Sequence, residues 1–356
     1  FGHVARCMDL ASPSGCEPFR IEGRPVGWLA PDLVRALTYW PAAFHFDGGG
    51  VAMARRLRSP GARSDALARV CAGLVAAGLI PRLRGERYDI RAEPGGISLA
   101  TLDRAAVPAF GVRAEGVHVN GLVRRADGLW LWVAVRARDK AVAPGKLDNI
   151  VAGGIPSGLG PEETLVKEAA EEAGIPPDLA ATARHAGRIG YVMAWDEPGQ
   201  ARGMRRDTLH VFDLDLPEGF VPRPGDGEVE RFELWPIGRV LAAVRDTEAF
   251  KFNVNLVLID LFLRGAGLAG VVVGLALVAG LLVRRGFRAT VTSSGYEAMQ
   301  ILASEPVDAI VSDTDMPEML GVELLRNVRM RYPRLPVVLL SPFFNLDLRE
   351  SLMAWG

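Results

Sequence analysis

The chain is short of the residues that staple folds covalently or through zinc. Only three of its 356 residues are cysteine: Cys7, Cys16 and Cys71. Their number and spacing exclude a disulfide framework and a zinc site, and point to a reducing, cytoplasmic setting. Charge of one sign is missing too, since 41 Lys and Arg stand against 42 Asp and Glu for a net −1. That balance offers no footprint for nucleic acid or for an acidic membrane surface, so neither is expected as a partner. No secretory or transit segment is expected ahead of the first patterned stretch. A chain of this length is expected to hold two or three domains, each able to bury a core.

What is present is organised around Gly153 to Ile175, Gly-Gly-Ile-Pro-Ser-Gly-Leu-Gly-Pro-Glu-Glu-Thr-Leu-Val-Lys-Glu-Ala-Ala-Glu-Glu-Ala-Gly-Ile. The spacing predicts a glycine-rich loop feeding a helix of about three turns. Pro161 suits its first turn, Glu162 and Glu163 complement the positive end of its dipole, and Gly174 stands where a left-handed cap belongs. At about 100° per residue, Glu171 and Glu172 lie roughly −60° and +40° from Glu168, so three carboxylates share one arc. Leu165, Val166, Ala169 and Ala173 turn towards a core. Three carboxylates on one face repel unless a cation sits between them, and oxygen ligands favour a hard ion. A solvated acidic face is the alternative.

This string resembles the Nudix box, in which glycine, a spacer and Arg-Glu-apolar-x-Glu-Glu-x-Gly-apolar hold Mg²⁺ against a diphosphate. Lys167 stands at its Arg position, Glu168 at the first Glu, Glu171 and Glu172 at the Glu pair, and Gly174-Ile175 at its end, with Leu159 where the general pattern has Glu. The resemblance implies a hydrolase that cleaves a diphosphate to a monophosphate. Its ligands to Mg²⁺, with Mn²⁺ as a substitute, would be Glu168, Glu171 and Glu172, and its catalytic carboxylates Glu171, Glu172 and Glu228, the last in a Gly-rich loop expected after the last strands. Arg136, Lys140 and Lys146 would neutralise diphosphate oxygens beside Gly153 and Gly154. Solvated loop charges are the other reading of those three cations and of Glu228.

Around the box the pattern suits an α/β fold. Val117–Val123 and Leu129–Val135 read as strands across an Asp127-Gly128 turn, followed after the helix by Gly190–Trp195 and Leu209–Leu216. A helix after Pro236 and an apolar one over Leu256–Leu263 complete an α/β/α sandwich with a mixed sheet. Before it, residues 1–112 read as a small α+β domain to which composition assigns no chemistry. It holds a hairpin over Phe19–Leu29, a helix from Pro31, and a second helix capped by Ser64 and stopped by Gly78. Residues 1 to about 264 resemble the Nudix subfamily with its own N-terminal domain of unknown function, related to the Nudix part of fungal thiamine pyrophosphokinase proteins. The residues carrying this are Arg136 to Asp148, Ala152 to Gly158, Asp213 to Pro217 and Asp226 to Phe232. The resemblance implies damaged thiamine diphosphate as a substrate class. ADP-ribose, another nucleoside diphosphate derivative, or a silent diphosphate-binding module are the alternatives, and a homodimer is allowed.

From Gly265 to Val283 run nineteen uncharged residues, long enough to cross a bilayer. The residues beyond them favour a buried strand and helix instead. Arg288–Thr292, Val307–Val311 and Pro336–Leu340 read as strands, alternating with helices over Gly295–Ala303 and Val322–Arg331. With Asp313-Thr-Asp-Met-Pro317, this part resembles a response-regulator receiver domain, a doubly wound parallel sheet. Asp313 matches its phosphoacceptor and Ser341 its switch hydroxyl, but Gly274-Leu275 stands where the acidic pair belongs. A truncated, silent receiver-like segment is therefore expected. The domains expected are 1–112, 113–264 and 268–356.

Overall fold

The computed structural model describes residues 2–7, 15–139, 142–196, 200–225, 227–264, 288–290, 292, 294–313, 321–333 and 335–340. Contacts divide the chain into two units, residues 2–254 and 255–356. In the first, α1 (Gly2–Cys7) precedes a four-stranded sheet of β1 (Glu17–Ile21), β2 (Arg24–Leu29), β3 (Phe44–Asp47) and β4 (Gly50–Met53), in the order β2-β1-β4-β3. The β1–β2 turn is made by Glu22 and Gly23, both at positive φ. Between β2 and β3, α2 (Pro31–Leu37) opens on its proline.

Helix α3 (Pro60–Ala76) is capped by Ser59, whose hydroxyl accepts from the Ala62 amide, and not by Ser64. The reason is local: Pro60 takes the N1 position, where its fixed φ and missing N–H cost nothing. Ser64, one turn inside, donates to the Pro60 carbonyl and accepts from the Thr101 amide. It thereby ties α3 to the hairpin of β5 (Arg87–Ile90) and β6 (Ala100–Asp103). Phe19, Leu33, Leu37, Leu67, Leu74, Ile90 and Phe110 fill the core beneath.

After α4 (Val107–Phe110), the strands β7 (Arg113–Arg125), β8 (Gly128–Arg136), β9 (Leu147–Asp148) and β10 (Val151–Gly154) enter a second sheet. Then come α5 (Pro161–Ala173), α6 (Pro177–Ala180), β11 (Arg184–Trp195), β12 (Gly203–Asp215), β13 (Val229–Pro236) and α7 (Ile237–Asp246). The seven-stranded order is β11-β12-β7-β8-β13, with β10 on β7 and β9 on β8. Only the β12–β7 pairing is parallel, so the sheet is mixed, as expected. The two-residue period of a strand explains how β7 serves two environments. Val117, Val119 and Val123 pack with Leu165, Ala169 and Ala173 of α5. His118 and Asn120, between them, face a buried polar network instead. Glu228 immediately precedes β13, so the loop that holds it comes before the last strand, not after it.

In the second unit, the helices Gly295–Ser304 and Gly321–Arg331 bury Leu302, Leu324 and Val328 together. Ile310–Asp313 and Val337–Leu340 pair in parallel, the β-α alternation expected of a doubly wound segment. Asp313 closes the first of these strands. Arg288–Thr290 and Thr292 are not in a strand. The Gly265–Val283 run and Ser341 lie outside the described residues, among which no helix is long and apolar enough to cross a membrane.

Candidate active site

The site is built on the first turn-and-a-half after Leu165 in α5. Helix entry is set by Gly160, whose amide donates to the Glu163 carboxylate at 2.8 Å. The exit is set by Gly174 at φ 62°, with the Ile175 amide returning to the Ala169 carbonyl. Those ends hold the helix against β10 and β7, and they aim its three glutamates at unequal depths. Glu171 has half of its side chain exposed, Glu168 17%, and Glu172 only 5% as a residue.

Glu172 reaches under the loop strand, where its Oε2 accepts from the Ala152 amide at 3.0 Å. Burial pushes its carboxyl well above the usual range. The Ala152 hydrogen bond opposes that shift, and the charges of Asp148, Glu168 and Glu228 reinforce it. Glu168 is raised by burial as well, with Lys167 opposing and Glu171 and Glu86 adding repulsion. Lys167 answers this excess of negative charge. Its Nζ donates to Glu171 at 2.5 Å and to Glu168 at 3.0 Å, and its own acidity is weakened chiefly by Glu171. The residue at the box's Arg position therefore clasps two of the three carboxylates.

Gly153 and Gly154 are explained by what their missing side chains admit. A methyl group on Gly153 would lie 2.6 Å from both Cγ and Cδ of Glu168, so that carboxylate occupies the vacated space. One on Gly154 would lie 1.6 Å from the hydroxyl oxygen of Tyr88, which belongs to the N-terminal hairpin. The hairpin is tied to the loop again where the Ser157 amide donates to the Arg87 carbonyl at 2.7 Å and its hydroxyl to Asp89 at 2.8 Å.

The predicted cations are placed differently. Arg136 is nearly buried and spends its donors on Asp148 (2.7 Å), the Ala143 carbonyl (3.2 Å) and the Val142 carbonyl (3.0 Å). Lys146 donates to the Glu248 carbonyl at 2.5 Å. Both hold the loop in place, and Lys140 lies outside the described residues. Sequence reading missed the groups that flank the site. Burial would raise Asp148, but Lys251, His118 and Arg136 hold it below the usual range. Burial also drives His118 down to about 4; it hydrogen-bonds Asn149 at 2.9 Å, and Asn149 in turn donates to Asn120 at 2.8 Å. No local pattern marks these residues, because only the pairing of β7, β8 and β9 brings them together.

The donor set is all carboxylate oxygen, which suits a hard divalent ion. A buried carboxyl surrounded by three like charges is where such an ion would relieve repulsion. Lys167 brings positive charge to Glu168 and Glu171, and among the described residues no three acidic, His or Cys side chains converge at ligand spacing. Two cavities, of about 220 and 620 Å³, lie along the N-terminal hairpin, and neither is lined by a residue of α5.

Residues 114–254 match the family model described as NUDIX domain. The protein named "Nudix hydrolase 24, chloroplastic" of Arabidopsis thaliana is 38% identical over 249 residues, covering 69% of this chain and 67% of that one. "Nudix hydrolase 20, chloroplastic" of the same plant is 37% identical over 274 residues, covering 74% and 72%. The chain belongs to the Nudix hydrolase family. This Nudix hydrolase is an enzyme with a diphosphate-hydrolysing function, in a family that generally uses divalent metals such as Mg²⁺. Its residues 1–114 match a domain of unknown function, DUF4743, and residues 273–356 the response regulator receiver domain. A two-component response regulator of Oryza sativa subsp. indica is 44% identical over 69 residues, covering 18% of this chain and 47% of that one. The names of the plant relatives leave the compartment open.

Proposed function

We propose that this Nudix hydrolase is Mg²⁺-dependent, with Mn²⁺ as a substitute, and converts a diphosphate of the thiamine type, including damaged forms, to the monophosphate. The observation that carries the metal reading is the burial of Glu172 among Asp148, Glu168 and Glu228, with Lys167 drawn onto Glu168 and Glu171. Glu168, Glu171 and Glu172 are the residues that would hold the ion. Bound there, it supplies Lewis acidity towards a phosphoryl oxygen and acidifies water. Gly153 leaves Glu168 the room to reach the site. The Ala152 amide fixes the Glu172 carboxyl, so its free oxygen is presented in one orientation. Glu228, at the mouth of β13, is the further carboxylate available to take the proton from an attacking water. The thiamine class rests on the resemblance to the thiamine pyrophosphokinase-linked subfamily.

The test is monophosphate release from a panel of thiamine diphosphate, its oxidised forms, ADP-ribose and nucleoside diphosphates, with Mg²⁺ added or chelated. Glu172→Gln, which keeps the shape and one acceptor, is expected to lower turnover by at least ~100-fold with folding intact. Full turnover by Glu172→Gln at matched Mg²⁺, or by the wild-type chain in chelator, sinks the metal assignment. Preference for ADP-ribose over every thiamine derivative sinks the substrate class.

A further inference from the structure

The carboxylates of α5 account for one end of a diphosphate. Arg136 and Lys146, the cations expected at the other end, are committed to protein oxygens. Unspent donors lie elsewhere. Tyr88 on β5 is only 6% exposed, yet its hydroxyl has no hydrogen-bond partner among the described residues. That hydroxyl rests on the backbone of Gly154, one residue from the glycine that makes room for Glu168. Arg104, just past β6, lies with its guanidinium 5.8 Å from the Tyr88 ring centroid and keeps 42% of its side chain accessible while pairing with Glu86 at 2.9 Å.

The third donor comes from the Nudix domain. Arg205 on β12 is held between Trp195 and Phe252, 5.5 and 5.7 Å from their ring centroids, and its side chain stays 24% accessible. Its Nε is buried and makes no hydrogen bond, with its ion-pair partner Asp207 at 3.5 Å. No N–H of Arg205 makes a hydrogen bond among the described residues. The three groups share one electrostatic neighbourhood: Arg104 and Arg205 repel each other, and Tyr88 feels both Arg104 and Glu168. Arg104 and Arg205 each face one carboxylate, Glu86 and Asp207, yet the Tyr88 hydroxyl and the N–H groups of Arg205 make no hydrogen bond among the described residues, so the cluster has donors left for an anionic oxygen. Guanidinium N–H groups bind phosphoryl oxygens with charge-assisted strength.

We propose that Tyr88, Arg104 and Arg205 form an anion subsite, built jointly by the N-terminal and Nudix domains, that holds the substrate phosphoryl group farther from the carboxylates of α5. The inference rests on the diphosphatase reading, and it gives the N-terminal domain a direct part in substrate binding. Holding the far phosphoryl equally in ground and transition states lowers KM and leaves kcat largely unchanged.

The probe is imidodiphosphate, a diphosphate anion that resists hydrolysis, titrated calorimetrically into the full chain with Mg²⁺. Tyr88→Phe keeps the ring packed on Gly154 and removes only the hydroxyl; its affinity is expected to fall about tenfold. Arg205→Met keeps the apolar stem between Trp195 and Phe252, and a fall of about a hundredfold is expected, partly restored in Arg205→Lys. KM for whichever diphosphate is hydrolysed should rise by the same factors, with kcat within about twofold and the melting midpoint of Tyr88→Phe unchanged. A purely structural role would instead lower the melting midpoint and kcat together. Wild-type affinity in both Tyr88→Phe and Arg205→Met, or no binding of imidodiphosphate by the wild-type chain, overturns the subsite. If the chain turns over a diphosphate but these variants keep its KM, the subsite fails and the activity stands. If no diphosphate is turned over while imidodiphosphate binding still falls in the variants, the activity fails and the subsite stands.

Discussion

Replacing Gly153 by alanine separates room for a side chain from freedom of a backbone. Gly153 does not have a positive φ, so alanine is free to adopt its conformation. The added methyl would meet Glu168 Cγ and Cδ at 2.6 Å and Oε2 at 2.7 Å. Carbon atoms settle at about 3.5–4.0 Å, so the carboxylate must withdraw by about 1 Å. Glu168 is the mobile end of a long side chain, and its withdrawal costs stability no more than about 1 kcal/mol. A misplacement of about 1 Å in a reacting group, however, is enough to cost roughly a hundredfold in rate. Gly154→Ala provides the contrast. Its methyl would meet the hydroxyl oxygen of Tyr88 at 1.6 Å and Cζ at 2.6 Å, atoms of a rigid ring packed in the N-terminal core. That clash is expected to cost about 1–3 kcal/mol of stability. Urea unfolding and diphosphate turnover, measured on both variants, distinguish the two effects. Gly153→Ala should unfold like the wild type but turn over roughly a hundredfold slower, whereas Gly154→Ala should unfold early. Wild-type turnover in Gly153→Ala would refute the claim that the glycine is there to admit Glu168.

Three further outcomes are expected. His118 is held neutral by burial with its pKa down at about 4, against about 6.5 unfolded, so its contribution is complete above pH ~6.5 and is lost as pH falls towards 4. Stability should therefore drop by about 3 kcal/mol across that window through His118 alone, and His118→Gln should flatten the urea-midpoint profile there; equal slopes in the two proteins would contradict it. Gly174→Ala forces a Cβ into the left-handed cap at φ 62° and should lower stability by about 1 kcal/mol, seen as a lower thermal midpoint with an unchanged KM. Removing residues 265–356 should leave diphosphate turnover intact, because every residue assigned to the site falls within 88–228; activation of the full chain by an acyl phosphate donor would argue for a regulatory receiver-like segment instead.

The helix that carries the carboxylates was legible from the sequence alone because its limits are set locally. Pro161 and Gly174 act on their own backbone, and the 3.6-residue period places Leu165, Ala169 and Ala173 on one side whatever packs there. Strand alternation and the glycine before Leu129 were equally local signals for the β7–β8 hairpin. The cap of α3 was misread because Ser64 and Ser59 are both good caps, and the choice lay with Pro60 beside Ser59. Depth was decided only by tertiary structure. Helical angles give azimuth, so Glu168, Glu171 and Glu172 looked alike until the Ala152 amide drew Glu172 under β10. A cation's partner is likewise a matter of which strands pair: β9 lies beside β8, which commits Arg136 to Asp148. Tyr88, far from Glu168 in the chain, becomes its neighbour only because the β5–β6 hairpin docks on the loop that Gly153 and Gly154 keep open.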